Sequence, residues 1–158
     1  MKRLTRTPLL LLLACTCAAA DVPAPKILEL PDIVNQVKKS VVKIVVYNKS
    51  GVGLGTGYAI STDGLVATAQ HVIEHAELTI VWLHDGSSHP AIVVASDVGT
   101  DTALLHIDAM LTPVQFRNSN TLRLGEAVFI LGHPLDLTYS LSVGVISGLH
   151  RKTHDKTE

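Results

Sequence analysis

Beyond residue 20 this 158-residue chain contains no cysteine, because Cys15 and Cys17 both lie near its start. The body can therefore build neither a disulfide nor a thiolate metal site, and we expect it to need no cofactor. Charged residues make up 17% of the chain, aromatic residues 4%, and the formal net charge is −1. A nucleic-acid surface needs a basic stripe interleaved with aromatic side chains. We therefore expect a globular body with no nucleic-acid partner.

The sequence also lacks a nucleotide-binding loop. The glycine-rich run from Gly51 to Gly57 superficially suggests one, but Tyr58 stands at the third glycine of a G-x-G-x-x-G pattern. No Gly-Lys-Ser/Thr sequence follows it either, so neither nucleotide fingerprint is present. The small residues favour a strand that another segment of the chain approaches closely.

Residues 1–20 are predicted to be a signal peptide that takes no part in the fold. A positively charged start, a short leucine-rich core at residues 8–14 and small residues at 18–20 are typical of one. The apolar core is too short to span a bilayer as a helix. Residues 12–15 also resemble a bacterial lipoprotein box, which offers lipidation of Cys15 and a membrane tether as an alternative. Both interpretations predict export to the periplasm or cell envelope.

The body changes from a helical to a strand-like pattern near residue 41. Residues 21–40 are predicted to form a linker and a short helix, Asp32 to Lys39. From there, short runs rich in β-branched residues recur about every ten residues, with tight turns between them. The predicted strands are Val41–Tyr47, Gly53–Ile60, Leu65–Ala69, Leu78–His84, Ala91–Ser96 and Thr102–Ile107. This rhythm indicates a small antiparallel barrel or sandwich over residues 41–117.

A second, smaller unit is predicted after the polar residues 118–120. Its strands are Ala127–Leu131 and Leu141–Ser147, within residues 118–158. Two strands alone leave two exposed edges and one uncovered apolar face. The sequence thus predicts an all-β protein with one complete barrel followed by the first hairpin of another.

Two residues stand in settings suited to proton transfer. His71 follows a predicted strand, and Asp101 stands at the entrance to the strand Thr102–Ile107. A histidine base and an aspartate that orients it are two members of a catalytic triad whose third member is a serine. Without Asp101, a histidine at a strand end would be the simpler interpretation of His71.

A zinc site is the competing interpretation of the same histidine. The stretch from His71 to His75 matches H-x-x-E-H, in which a helix places both histidines on one face and Glu74 acts as base. A strand predicted to begin near Leu78 leaves little more than one helical turn, so the motif lacks its helical context. The remaining histidines show no ligand spacing, and most are predicted at strand or turn surfaces: His84, His89, His106, His133, His150 and His154.

Six short stretches follow one another in a specific order and spacing between Ser40 and His150. They are Gly55–Ile60, Gly64–Ile73, Asp97–Leu105, Leu124–Val128, Gly132–Pro134 and Ser142–Ser147. Together they resemble the N-terminal part of an HtrA/Deg-type, trypsin-like serine protease. The resemblance implies a chymotrypsin/trypsin-like double β-barrel with its active site between the barrels. It also implies that His71 is the general base and that Asp101 is its buried orienting partner.

The resemblance further implies a nucleophile in a Gly-Asn-Ser-Gly-Gly loop, and these 158 residues contain none. The last serines, Ser140, Ser142 and Ser147, lack that glycine pattern, and the apolar alternation around Ser142 and Ser147 predicts ordinary strand positions for both. The first interpretation is an N-terminal portion of an exported endopeptidase for misfolded envelope proteins, inactive as written and able to form homo-oligomers at full length. The alternative is a non-catalytic peptide-binding or regulatory module derived from the barrel.

Overall fold

The computed structural model describes residues 29–133 and 139–151. The predictions for the signal peptide, for Cys15 and for His154 lie outside these residues. The elements are α1 (Leu30–Val37), β1 (Val41–Asn48), β2 (Gly51–Ala59), β3 (Leu65–Thr68), α2 (Gln70–Ile73), β4 (Leu78–Trp82), β5 (Ser88–Asp97), β6 (Thr102–Ile107), β7 (Ala127–Gly132) and β8 (Ser140–Val145). Neither described helix is long and apolar enough to cross a membrane.

Six antiparallel strands close into a barrel in the order β1-β2-β3-β6-β5-β4. Strand β1 closes it by pairing with β2 on one side, where Val42 faces Gly57, and with β4 on the other, where Ile44 faces Val81. Closure leaves no strand of this sheet with an unpaired edge. The complete first barrel expected from the sequence is confirmed.

Aliphatic side chains at alternate strand positions fill the barrel. In β1 these are Val42, Ile44 and Val46, which share one face because strand side chains alternate with a period of two. Leu105 and Ile107 of β6 meet them, with 0% and 1% of their surfaces exposed. Full burial of such a side chain contributes about 1.5–3 kcal/mol. These residues make the barrel the stable scaffold of the molecule.

The boundaries of the predicted strands lie within two residues of the observed ones, with one exception. Strand β5 begins at Ser88, three residues before the predicted start at Ala91. A β-bulge between Val93 and Ala95 allows β5 to follow both of its neighbours over this greater length. The predicted helix Asp32 to Lys39 is also present, but both of its ends lie two residues earlier, at Leu30–Val37.

Strands β7 and β8 form a separate two-stranded sheet, from the pair Ala127 and Val145 to the pair Gly132 and Ser140. Its apolar side chains are largely exposed, including Ile130 at 73% and Val143 at 64%. The expectation of a second sheet that is only begun is confirmed. The described residues therefore hold one closed barrel and one open hairpin.

The segment between β6 and β7 runs along the barrel before it reaches the second sheet. The backbone N–H of Val114 donates to the carbonyl of Ala59 at 2.9 Å. The ring of Phe116 meets Tyr58 edge to face, with 6.4 Å between centroids. These contacts fix the direction in which the chain leaves the barrel.

Candidate active site

His71 lies on α2, a single helical turn directly after β3. Ile73 of the same turn is buried in the barrel core. Val72 packs over Gly55 so closely that a Cβ on this glycine would lie 2.3 Å from Cγ1 of Val72. Two apolar neighbours thus hold the turn against the barrel, while the His71 side chain remains 66% exposed.

Asp101 lies in the turn that joins β5 to β6. The Asp97 carboxylate organises this turn by accepting hydrogen bonds from the Gly99 N–H and the Thr100 hydroxyl, both at 2.8 Å. Asp101 itself has a φ of 50°, a left-handed conformation that aspartate tolerates better than most residues. The turn delivers its carboxylate to α2, thirty residues earlier in the sequence.

The Asp101 carboxylate holds His71 at two points. Its Oδ1 accepts the backbone N–H of His71 at 2.9 Å, and its Oδ2 lies 2.7 Å from the ring Nδ1. An ionised carboxylate only accepts hydrogen bonds, so Nδ1 must carry the proton. In the neutral ring Nε2 is then the acceptor, which is the tautomer that a general base requires.

These hydrogen bonds favour the ionised form of Asp101. The pKa of its carboxyl lies below the ordinary value, first because of the His71 backbone N–H and then because of the bond to the His71 side chain. Hydrogen bonds donated to a carboxylate stabilise its charge and so oppose protonation. Asp101 is therefore an anion at neutral pH, and it stands ready to balance a positive imidazole.

The expected burial of Asp101 is not observed, because 51% of its side chain is exposed. It lies in a turn at the rim of the barrel, two residues before Ala103, the first buried residue of β6. The hydrogen bonds between Asp101 and His71 therefore form at an exposed site, where dissolved salt screens the charges of the two side chains.

The zinc interpretation of His71 and His75 fails on the local backbone. Helix α2 ends at Ile73, Glu74 has an extended ψ of 128°, and His75 has a φ of 60°. Two histidines share a helical face at i and i+4 only when the helix includes both. The motif is therefore not the two-histidine helix face that its pattern suggests.

His133 is an exception to the expectation that most of the remaining histidines lie at surfaces, because only 5% of it is exposed. Its backbone N–H donates to Oγ1 of Thr56 in β2 at 2.9 Å. Its ring lies 4.6 Å from the ring of Tyr139, centroid to centroid. The spacing of the histidines in the sequence did not indicate that His133 is buried. Gly132 and His133 do, however, belong to one of the six stretches that carry the resemblance.

The last serines occupy or follow an ordinary strand. Ser140 and Ser142 lie on β8 opposite Gly132 and Ile130, and Ser147 follows the end of that strand. The strand position predicted for Ser142 is confirmed, whereas the one predicted for Ser147 is wrong, because β8 ends at Val145.

The trypsin-like peptidase domain is the family whose model matches this chain, over residues 55–158. This match covers more than half of the chain, so the chain belongs to that family. The matched residues include the whole His71 and Asp101 site as well as the second sheet.

Curated relatives that the chain resembles are described as DegP-like serine endoproteases. It is 39% identical over 98 residues to a probable periplasmic serine endoprotease DegP-like of Chlamydia pneumoniae, covering 61% of this chain and 20% of that protein. A protein of the same description from Pseudomonas savastanoi pv. phaseolicola is 38% identical over 105 residues, covering 66% and 22%. The chain therefore spans about a fifth of the length of these curated relatives.

A solved structure of an HtrA-type protease is also similar to this chain. The HtrA-type protease AlgW with tripeptide superposes with a TM-score of 0.74 at 28% identity, covering 78% of this chain and 41% of that one. The chain is thus similar to HtrA-type proteases in sequence and in backbone geometry.

Proposed function

We propose that His71 and Asp101 are the general base and its orienting carboxylate in an HtrA-type serine endopeptidase. The observation that carries the proposal is the hold of one carboxylate on both the ring and the backbone of His71, at 2.7 and 2.9 Å. A hydrogen bond to Nδ1 alone would leave the ring free to move with its backbone. The second bond, to the backbone N–H, fixes the segment that carries the ring.

In the proposed reaction, a serine oxygen forms a bond to the carbonyl carbon of a peptide while Nε2 of His71 takes the serine proton. Asp101 balances the imidazolium that results, and His71 then returns the proton to the leaving amine as the C–N bond breaks. Backbone N–H groups around the serine would stabilise the oxyanion. Water completes the cycle by hydrolysing the acyl-enzyme.

The nucleophile is proposed to come from sequence outside these 158 residues, in a longer protein whose first barrel is residues 41–117 and whose second begins at 118. The polypeptide as written would then neither cleave casein nor react with a fluorophosphonate probe. Covalent labelling of a serine in the pure chain would contradict this. The proposal of a longer protein would be contradicted if no reading frame encodes a glycine-rich serine loop within a few dozen codons after codon 158.

The site itself is tested by proton NMR of the 158-residue chain. We expect a low-field Nδ1–H signal from His71 that disappears in Asp101→Asn, because the neutral amide loses the charge-assisted bond. Asp85→Asn is the matched control, since the Asp85 carboxylate accepts the backbone N–H and the hydroxyl of Ser87 in the turn between β4 and β5 and should leave His71 unchanged. A signal that survives in Asp101→Asn would remove the basis of the proposal.

The compartment and substrates are proposed from the relatives. Both curated relatives are described as periplasmic, and we propose the periplasm or cell envelope for this chain, with unfolded or misfolded proteins as substrates. Export would use residues 1–20. The test is fractionation of cells that express the chain, with Cys15→Ala to distinguish a lipid tether, which needs Cys15, from simple cleavage.

A second candidate function is favoured by the open hairpin. Strands β7 and β8 form a sheet of two strands, and β8 has side chains such as Val143 exposed. A non-catalytic module would bind an extended peptide there by strand addition. A folded monomer with slow amide exchange in β8 would support this function, whereas aggregation or fast exchange after residue 118 would contradict it.

A further inference from the structure

The sequence Gly55-Thr56-Gly57 lies in the middle of β2 between three different parts of the molecule. Gly55 lies under Val72 of α2, where a Cβ would come within 2.3 Å of it. Gly57 faces the core, where a Cβ would lie 2.9 Å from both Ile44 and Val66. The two glycines allow α2 and the core to approach β2 closely, and Thr56 between them carries the side chain of this stretch.

Thr56 is hydrogen-bonded to both units of the molecule. Its Oγ1 accepts the backbone N–H of His133, just after β7, at 2.9 Å. Gly132 lies against the same side chain, since a Cβ on it would be 3.1 Å from Oγ1 of Thr56. On the barrel side, the Thr56 carbonyl accepts the hydroxyl of buried Thr68 at 2.9 Å. Thr68 ends β3, three residues before His71.

A second hydrogen bond from the second unit is longer and reaches a residue that lies outside the barrel strands. Oη of Tyr139 donates to the carbonyl of Lys38 at 3.3 Å. Hydroxyl donors usually lie 2.5–3.0 Å from their acceptors, so this bond is weaker than the one at Thr56. It also reaches the segment after α1, whereas Thr56 lies next to the strand that leads to His71.

We propose that Thr56 is a positioning residue that holds the second sheet in a fixed relation to the His71–Asp101 pair. The inference rests on the proposed function, because only a reaction shared between the two units would need their relation to be fixed. A displacement of about 1 Å between reacting groups costs on the order of a hundredfold in rate. One threonine, bonded through its hydroxyl to the second sheet and through its carbonyl to β3, sets this relation.

The test compares Thr56→Val with Thr56→Ser in the 158-residue chain by NMR. Valine keeps the shape but removes the acceptor, so we expect amide exchange at His133 to accelerate by roughly three- to tenfold, the effect of one lost hydrogen bond. Residual dipolar couplings of β7 and β8 should shrink relative to those of the barrel. Serine keeps the hydroxyl and should restore both measurements.

Thr79→Val is the matched control, because Thr79 is a buried threonine of β4 that pairs with Val46 and Ala91 inside the barrel. It should alter barrel stability but leave the couplings of the second sheet unchanged. If Thr56→Val prevents folding, Gly132→Ala perturbs the same contact from the other side, since its Cβ would lie 3.1 Å from Oγ1. This variant should also accelerate exchange at His133.

The positioning role is overturned if the couplings of β7 and β8 and the exchange at His133 are the same in the wild type, Thr56→Val and Gly132→Ala. A change shared equally by the whole barrel would show a merely structural role and would overturn it as well. The low-field His71 signal separates this result from the proposed function. Its absence from the wild type would remove the base, whatever Thr56 does.

Discussion

The first barrel and the second sheet are built from similar sequence but differ in what surrounds each strand. The barrel strand β1 has neighbours on both edges, and five of its eight residues are buried. In β8, one edge pairs with β7, and five of its six residues are exposed. Both strands are rich in valine, so composition does not explain the difference. The difference lies in packing, because Val42, Ile44 and Val46 of β1 belong to the barrel core, whereas β8 has no buried residue.

The comparison also explains where a precise site can be formed. His71 and Asp101 lie at the rim of the closed barrel, and each stands two residues before a buried residue of its own segment, Ile73 or Ala103. A functional group is held most accurately by elements whose own side chains are locked by packing. The second sheet offers the Thr56 contact at one end and little packing along its strands.

The largest expected difference between the barrel and the second sheet is in the free energy of unfolding that is lost when a large side chain is shortened to alanine. Leu105→Ala removes a completely buried side chain from β6 and should lower the free energy of unfolding by about 2–5 kcal/mol. Val143→Ala, at a position that is 64% exposed in β8, should change it by less than about 0.5 kcal/mol. Urea unfolding followed by circular dichroism measures both. Equal losses would mean that β8 is buried in solution.

Sequence patterns predicted the barrel well because the same pattern, a short β-branched run followed by turn residues, recurs along the chain. Each barrel strand carries at least two β-branched residues, and even β5, which bulges, was found in the correct place. The strand ends were harder to predict because they depend on partners elsewhere in the chain. Ser88 joins β5 only because Trp82 of β4 pairs with it.

The sequence predicted that His71 and Asp101 form a pair, but not the backbone conformation and hydrogen bonds that bring them together. The setting of Asp101 before an apolar strand identified it, yet its left-handed φ and its bond to the His71 backbone depend on a turn that Asp97 organises. The burial of His133 could not be predicted, because its neighbours are Tyr139, which comes just before β8, and Thr56 of β2. Residues distant in sequence decide both features.

A smaller difference in the free energy of unfolding is expected when one methyl group is added to the barrel or to the second sheet. Gly55→Ala places a Cβ 2.3 Å from Val72, and overpacking of this kind costs about 1–3 kcal/mol. It should also broaden the low-field His71 signal, because Val72 is next to His71 on α2. In β8, a Cβ on Gly144 meets nothing within 4 Å, so Gly144→Ala should be neutral or stabilising by up to about 1 kcal/mol. Equal destabilisation by the two variants would contradict the close packing at α2.

The smallest expected difference concerns two carboxylates, one in each region. The pKa values of Asp101 and Glu126 both lie below their ordinary values, Asp101 mainly through the His71 backbone N–H and Glu126 mainly through the Arg117 side chain. A depressed folded pKa stabilises the protein above the unfolded pKa, and this contribution is lost as the pH falls through the folded value. Acid should therefore weaken the Asp101–His71 and Glu126–Arg117 contacts only at pH values below the ordinary pKa of a carboxyl group.

Salt should separate these two carboxylates, because Glu126 depends on a permanent cation and Asp101 chiefly on a neutral donor. Raising the ionic strength to about 1 M shortens the Debye length to about 3 Å. The pKa of Glu126 should then rise more than that of Asp101, as measured by carbon NMR of the carboxyl groups. Arg117→Gln is the matched control and should remove most of the salt response of Glu126 while leaving Asp101 unchanged. An equal response of both groups would mean that the charge of His71, rather than its backbone N–H, holds Asp101.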